Sequence, residues 1–277
     1  MVNSKLSTKT LKNNDEPAAS DQYSLTKILV IWLMAALPMG ILGWLVAPAL
    51  SPDMSVDPIG AAAVRMGSLT LGLVWLFVLS MLIVWREEGD LQWATIKRRL
   101  WLNKPRDPKT GERRNRLWLW LLPIILLLAV IELIASPWFN QIWLSVFPLF
   151  AEPASFGMGS LLEDPEIKAQ LVGAWWFLAM FLFLGLFNII GEGFIFRGVL
   201  LPKMNGVFGK WDWVANGVLM ATYHWHQPWM ILGGVIACSL FSFATKHYRS
   251  IWMGIIPHSI QIVLFTVLIL GIILGLV

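Results

Sequence analysis

Cysteine is almost missing from this chain of 277 residues: Cys238 stands alone in an apolar run, so neither an intrachain disulfide nor a multi-cysteine metal site can form. Charge is scarce as well. Asp, Glu, Lys and Arg make up 14% of the residues, where a soluble domain carries about a quarter. With 57% hydrophobic residues and a mean hydropathy of +0.67, the chain cannot cover its apolar surface with polar groups in water. In lipid it has no need to, provided every backbone group is bonded internally. There is no HExxH pattern, so a helix-borne zinc pair is not indicated. Internal repeats, low-complexity tracts and a soluble domain are also absent from the sequence. The net charge of +4 comes from basic residues gathered beside apolar runs, and no nucleic-acid partner is expected.

What the chain does have is 17 Trp, a residue that concentrates where membrane meets water, and a series of long apolar runs. These predict an all-α fold, a polytopic transmembrane helix bundle of about seven spans. The spans are expected near 25–50, 61–85, 117–139, 171–201, 213–225, 229–245 and 251–277. The first run is too long for a cleaved signal peptide and reads as a retained span. Three parts follow: a disordered cytoplasmic tail (1–22), amino-terminal spans (23–170) with a basic loop at 86–116, and a core (171–277) that carries the candidate chemistry.

Charge sets the expected orientation. The loop from Arg86 to Arg116 holds ten Lys and Arg residues, whereas the loop after the third span carries Glu152, Glu163, Asp164 and Glu166 against Lys168. The positive-inside rule puts the amino terminus in the cytoplasm and the carboxyl terminus outside, and a bacterial plasma membrane is the expected location. Within the basic loop, Leu91, Trp93, Ile96, Leu100 and Trp101 alternate with Lys97, Arg98 and Arg99. A helix there would be amphipathic and would meet anionic lipids; the plainer reading is a basic topology anchor.

Ionisable groups inside a membrane are costly and by default mark function. Glu192 lies in the fourth expected span, with Asn188 one turn earlier on the same face and able to hydrogen-bond it. Arg197 is five residues on, which is not a shared face of an α-helix; its plain reading is an arginine snorkelling to the interface. His224 and His226 precede Pro228, and His258 sits one turn before Gln261. Each histidine has a plain reading, interfacial or packing. At 1.5 Å per residue, Glu192, His224 and His258 fall roughly 17, 21 and 12 Å in from the cytoplasmic ends of their helices, within about two turns of one level. Three helices thus bring a carboxylate and two imidazoles to one depth. A carboxylate and a histidine sharing one water can activate it for attack on a peptide carbonyl, while the second histidine donates to the oxyanion. No cofactor is expected. The metal alternative is zinc held by Glu192, His224 and His258.

The order of these residues resembles the CPBP family of intramembrane proteases, the CAAX-protease and bacteriocin-processing or Abi group. That family's motifs are EExxxR, FxxxH and HxxxN or HxxxD. Here they read Glu192-Gly193-Phe194-Ile195-Phe196-Arg197, Met220-Ala221-Thr222-Tyr223-His224 and His258-Ser259-Ile260-Gln261-Ile262, over about residues 171–277. The resemblance implies an intramembrane endopeptidase acting on a membrane-associated peptide or protein. Glu192 would be the general base, His224 its partner on water, and His258 the oxyanion donor, with Arg197 structural or orienting. Three positions depart from the pattern: Gly193 replaces the second Glu, Met220 the Phe, and Ile262 the terminal Asn. Gln261 is the expected substitute donor, with Asn188 and Asn216 as others. The departures leave a second reading open, a catalytically weakened relative acting as a membrane adaptor or immunity-type protein. A transporter is a third reading, with less support because no repeat is present. Gly271 and Gly275 form a small-xxx-small spacing suited to helix packing within or between chains, and the sequence leaves the oligomeric state open.

Overall fold

Apolar chain in a membrane has no water to satisfy its amides, so it satisfies them as helix. The computed structural model describes residues 22–153 and 162–277, and among these the long elements are all helical. The expected disordered tail, 1–22, lies outside the described residues except for Gln22. Nine helices are named here: α1 (Leu25–Leu50), α2 (Pro58–Glu88), α3 (Trp93–Arg99), α4 (Asn115–Val146), α5 (Pro165–Leu171), α6 (Trp175–Lys203), α7 (Asp212–Tyr223), α8 (Pro228–Tyr248) and α9 (Trp252–Ile273).

Six of them, α1, α2, α4, α6, α8 and α9, are long and apolar enough to cross a membrane. The seventh expected span, 213–225, is α7, which has only 12 residues. At 1.5 Å per residue it is about 18 Å long, against a hydrocarbon core of roughly 30 Å. Its early end has a local cause. Pro228 disfavours helical backbone at the residue before it, and Gln227 is accordingly non-helical (φ −143°, ψ 59°). The chain turns through His224–Gln227 into α8, which runs back along α7.

Three helices carry π-wound segments, the first of them Leu42–Val46 in α1. In α4 the segment Ile131–Ala135 is π-wound, and in α6 so is the whole of Asn188–Leu200. A π-helix bonds residue i to i+5, and such segments are frequent at functional sites. In α6 the segment lies hard against α2. A Cβ added to Gly191 would stand 2.5 Å from the backbone oxygen of Leu73, so only glycine permits that approach.

The main core gathers Ile28, Leu76, Ile195, Phe196, Leu200 and Tyr223, from α1, α2, α6 and α7. Large apolar side chains such as Leu33, Leu37, Leu71, Leu122, Leu133 and Val267 remain exposed on the outer faces of the long helices, as lipid-facing surfaces require. The tryptophans do more than mark an interface. The indole N–H groups of Trp32, Trp44, Trp75 and Trp143 donate to the carbonyls of Leu219, Trp225, Met34 and Pro228, tying neighbouring helices together.

The basic loop is also built into the fold. Helix α3 forms as its pattern predicts, with Trp93 exposed, but Arg99 on it is buried. Its guanidinium donates to the carbonyls of Gly198 and Val199 at the end of the π-wound segment and to Glu87 of α2 (2.9 Å). Tyr23 closes the network, donating to Glu87 (2.5 Å) and accepting from Arg99 (2.9 Å). The loop beyond is a tight turn in which Asp107 caps the amides of Lys109 and Thr110, bonds that hold its carboxyl below the usual range.

Candidate active site

Glu192 stands on the π-wound part of α6 with 1% of its surface exposed. Its two carboxylate oxygens face two different histidines. Oε1 lies 3.5 Å from His224 Nε2, where α7 ends, and Oε2 lies 3.7 Å from His258 Nε2 on α9. Asn188, one turn back on α6, donates its side-chain N–H to Oε1 at 3.0 Å, the bond expected from the i, i+4 spacing. The structure therefore brings together the three residues placed at one depth by counting helix rise.

The other ring nitrogens decide which protons these histidines carry. His224 Nδ1 is 2.9 Å from the Met220 carbonyl, which can only accept, so Nδ1 holds the hydrogen. In the neutral ring, Nε2 then presents a lone pair toward Glu192. His258 has the opposite arrangement. Its Nδ1 is 3.4 Å from Arg197 Nη1, and a guanidinium can only donate. Nδ1 is thus the acceptor, and Nε2 carries a hydrogen into the site. One imidazole offers a base and the other a donor, on opposite oxygens of one carboxylate.

Arg197 corrects two sequence expectations. It is fully buried rather than snorkelling, and it shares the site with Glu192 because π winding puts a residue five positions on about one turn further. Besides His258, its guanidinium contacts Met220 Sδ at 3.3 Å and lies 4.8 Å from the centre of the Phe241 ring. A permanent cation in the same apolar cavity offsets the buried carboxylate.

Other expectations fall elsewhere. Gln261 does not reach the Glu192 group: its amide lies beside Glu132 on α4. Asn216 is occupied structurally, donating to the Phe196 carbonyl at 2.9 Å and accepting from Ser242 at 2.8 Å. Ile262 packs into the notch at Gly185 on α6, where an added Cβ would meet its Cγ2 at 2.5 Å. Gly193 is covered by Ile255, 2.8 Å from an added Cβ, so no second carboxylate has room there without Ile255 moving. His226 is buried beside His224, and its carbonyl accepts from Arg65 at 3.1 Å.

Two residues escaped the sequence reading. Glu132 is a second carboxylate within a spanning helix; its signal was a lone charge among Ile and Leu. Tyr223 is fully buried, packs on Phe196 with ring centres 5.2 Å apart, and carries a hydroxyl without a hydrogen-bond partner. Nothing in its sequence context distinguishes it from a core aromatic.

The donor set does not suit a metal. A tetrahedral zinc site needs lone pairs from three protein ligands, and His258 presents an N–H instead, with the Arg197 cation behind it. No group of three His, Cys, Asp or Glu with ligand geometry occurs among the described residues. His224, with 24% of its side chain accessible, is the most open of Glu192, His224 and His258.

Neither the curated proteins nor the solved structures contain a match to the chain. A family comparison does: residues 174–264, the segment that carries Glu192, Arg197, His224 and His258, match the family described as "Rce1-like: Type II CAAX prenyl endopeptidase Rce1-like", in keeping with the CPBP and CAAX intramembrane protease resemblance of the motifs.

Proposed function

We propose that this protein is an intramembrane endopeptidase that hydrolyses a peptide bond in a membrane-associated peptide or protein, using one water activated by Glu192 and His224. The observation that carries this reading is the placement of two imidazole nitrogens of opposite character on the two oxygens of a single buried carboxylate. A water between Glu192 Oε1 and the His224 lone pair donates one hydrogen to each. That holds its oxygen's free lone pair ready for a carbonyl carbon. As the carbon–oxygen bond forms, Glu192 takes the proton, and the carbonyl oxygen becomes an oxyanion that accepts from His258 Nε2–H. Glu192 then returns the proton to the leaving nitrogen, the carbon–nitrogen bond breaks, and a carboxylic acid and an amine depart; the water's second proton, bonded to His224, passes through it to the amine, leaving a carboxylate and an ammonium. General base catalysis of this kind contributes about 10²–10⁴-fold, and each preorganised oxyanion donor about 10²–10³-fold. Arg197 does not touch the water; it fixes the tautomer of His258.

The substrate class suggested by the family description is a prenylated carboxyl-terminal peptide. The proposed orientation has the amino terminus in the cytoplasm of a bacterial plasma membrane, and the exposed basic residues of the 86–116 loop against anionic lipid. The test is purified protein in detergent with quenched peptides that end in a lipidated cysteine, alongside Glu192→Gln and with and without chelator. Cleavage by wild type alone, insensitive to chelator, is the expected outcome. Wild type no faster than the variant rejects the reading.

The covered positions Gly193 and Ile262 favour one alternative, a weakened relative that shelters a membrane partner without cutting it. On that reading Glu192→Ala leaves the cellular role intact at unchanged protein level.

A further inference from the structure

The oxyanion donor that the HxxxN pattern would supply is absent here, because Ile262 occupies its position and is packed into the Gly185 notch. Gln261 faces Glu132, Asn216 is taken by Phe196 and Ser242, and Asn188 by Glu192 Oε1, so none of the three sequence-based substitutes is free. A site with His258 as its single donor would lose about 10²–10³-fold in rate relative to a two-donor site.

Tyr223 is placed to make up the difference. Its side chain is 0% exposed, and its hydroxyl has no hydrogen-bond partner. A buried, unpaired hydroxyl costs on the order of 1–3 kcal/mol, so its persistence calls for a use. Glu192 Oε2, the oxygen on the His258 side, is likewise buried without a hydrogen bond, and the Tyr223 ring packs against His224, which stands over the other carboxylate oxygen. The ring is fixed by Phe196 on one side and by His224, 4.8 Å away between centres, on the other. The phenol therefore has a set direction. We propose that Tyr223 is a catalytic residue: its O–H donates to the oxyanion beside His258 Nε2–H, taking the role that Ile262 cannot.

The inference rests on the peptidase reading and deepens it. A phenol is also a stronger donor than a side-chain amide, so one well-aimed tyrosine suffices where the motif would use asparagine. Between turnovers the neighbouring carboxylate repels a developing phenolate and keeps the proton on the oxygen.

Tyr223→Phe removes the hydroxyl and keeps the ring on Phe196. The expected result is a kcat lower by about 10²-fold with KM unchanged, and a peptide phosphinate, which mimics the tetrahedral intermediate, bound more weakly by a similar factor. Tyr223→Phe turning over at the wild-type rate, in an assay where Glu192→Gln is inactive, overturns the inference and leaves the peptidase reading standing. A wild-type protein that does not cleave removes both. If Tyr223→Phe melts below wild type, fluorotyrosines of graded acidity at position 223 decide. A kcat that follows phenol acidity supports donation to the oxyanion, and a flat response overturns it.

Discussion

Arg197 donates a guanidinium N–H to Nδ1 of His258, 3.4 Å away and 61 residues along the chain, and both side chains are buried. Because the guanidinium has no acceptor, this one contact selects the tautomer of His258 and turns its Nε2 into a donor aimed at Glu192. The arginine thus does two jobs, holding an imidazole in one protonation pattern and offsetting the Glu192 charge.

The two jobs separate by substitution. Arg197→Met removes both, and stranding a buried carboxylate costs about 3–5 kcal/mol; the melting temperature in detergent should fall sharply, with activity lost. Arg197→Lys keeps the charge but cannot span His258 and Met220 together. It should melt much nearer to wild type while kcat drops. Equal melting for Arg197→Met and wild type would show that Glu192 does not depend on this cation.

Glu192→Gln keeps the shape of the carboxylate and its neighbour Asn188 while removing the base. Turnover should fall by about 10³-fold or more, since general base catalysis is lost outright. The melting temperature should fall, because the buried Arg197 cation loses its counter-charge. Turnover within tenfold of wild type would move the base to another residue.

Two glycines one position either side of Glu192 should behave differently. Gly191→Ala drives a methyl against the Leu73 backbone oxygen at 2.5 Å, and backbone cannot swing aside. A loss of about 1–3 kcal/mol is expected, read from melting. Gly193→Ala meets the end of Ile255 at 2.8 Å, a flexible group, and should cost under about 1 kcal/mol. Equal costs would mean that α2 and α6 are not locked at Gly191.

Alkali should loosen the network of Tyr23, Glu87 and Arg99. Burial first, and then the hydrogen bond to Glu87, hold the Tyr23 hydroxyl above its ordinary pKa of 10.0, against the lowering effect of Arg99. Its neutral form is thus preferred in the fold. That stability is complete below the unfolded value and erodes as pH climbs past about 10. Melting measured from pH 8 upward should decline above pH 10 in wild type, and less in Tyr23→Phe, which melts lower at neutral pH. Parallel curves would exclude Tyr23 as the source.

The helical bundle and the depth of Glu192, His224 and His258 are legible in the sequence because they depend on hydropathy and on a constant rise per residue, which vary little with context. The face that a residue presents is another matter. Reading α6 with α geometry turns Arg197 away from Glu192; the π winding that corrects this runs past the close approach of Leu73 to Gly191, a contact between segments more than a hundred residues apart. The shortness of α7 is written in Pro228, but apolar composition continuing past it hides the break. Gln261 looks like a substitute donor on its own helix and lies beside Glu132, whose helix position no local pattern links to it. Tyr223 has the same difficulty, since a core aromatic and an aimed phenol read alike until the partners around the hydroxyl are known.

The wide coil between Asn188 and Leu200 makes chain length itself part of the chemistry. Its lower end is pinned, since Lys203 accepts a backbone bond from Tyr23 and Arg99 grips Gly198 and Val199. Its upper end is seated on α2. Deleting a single residue between these anchors would let the segment tighten into ordinary α turns and rotate Arg197 out of phase with Glu192, although every side chain named above would still be present.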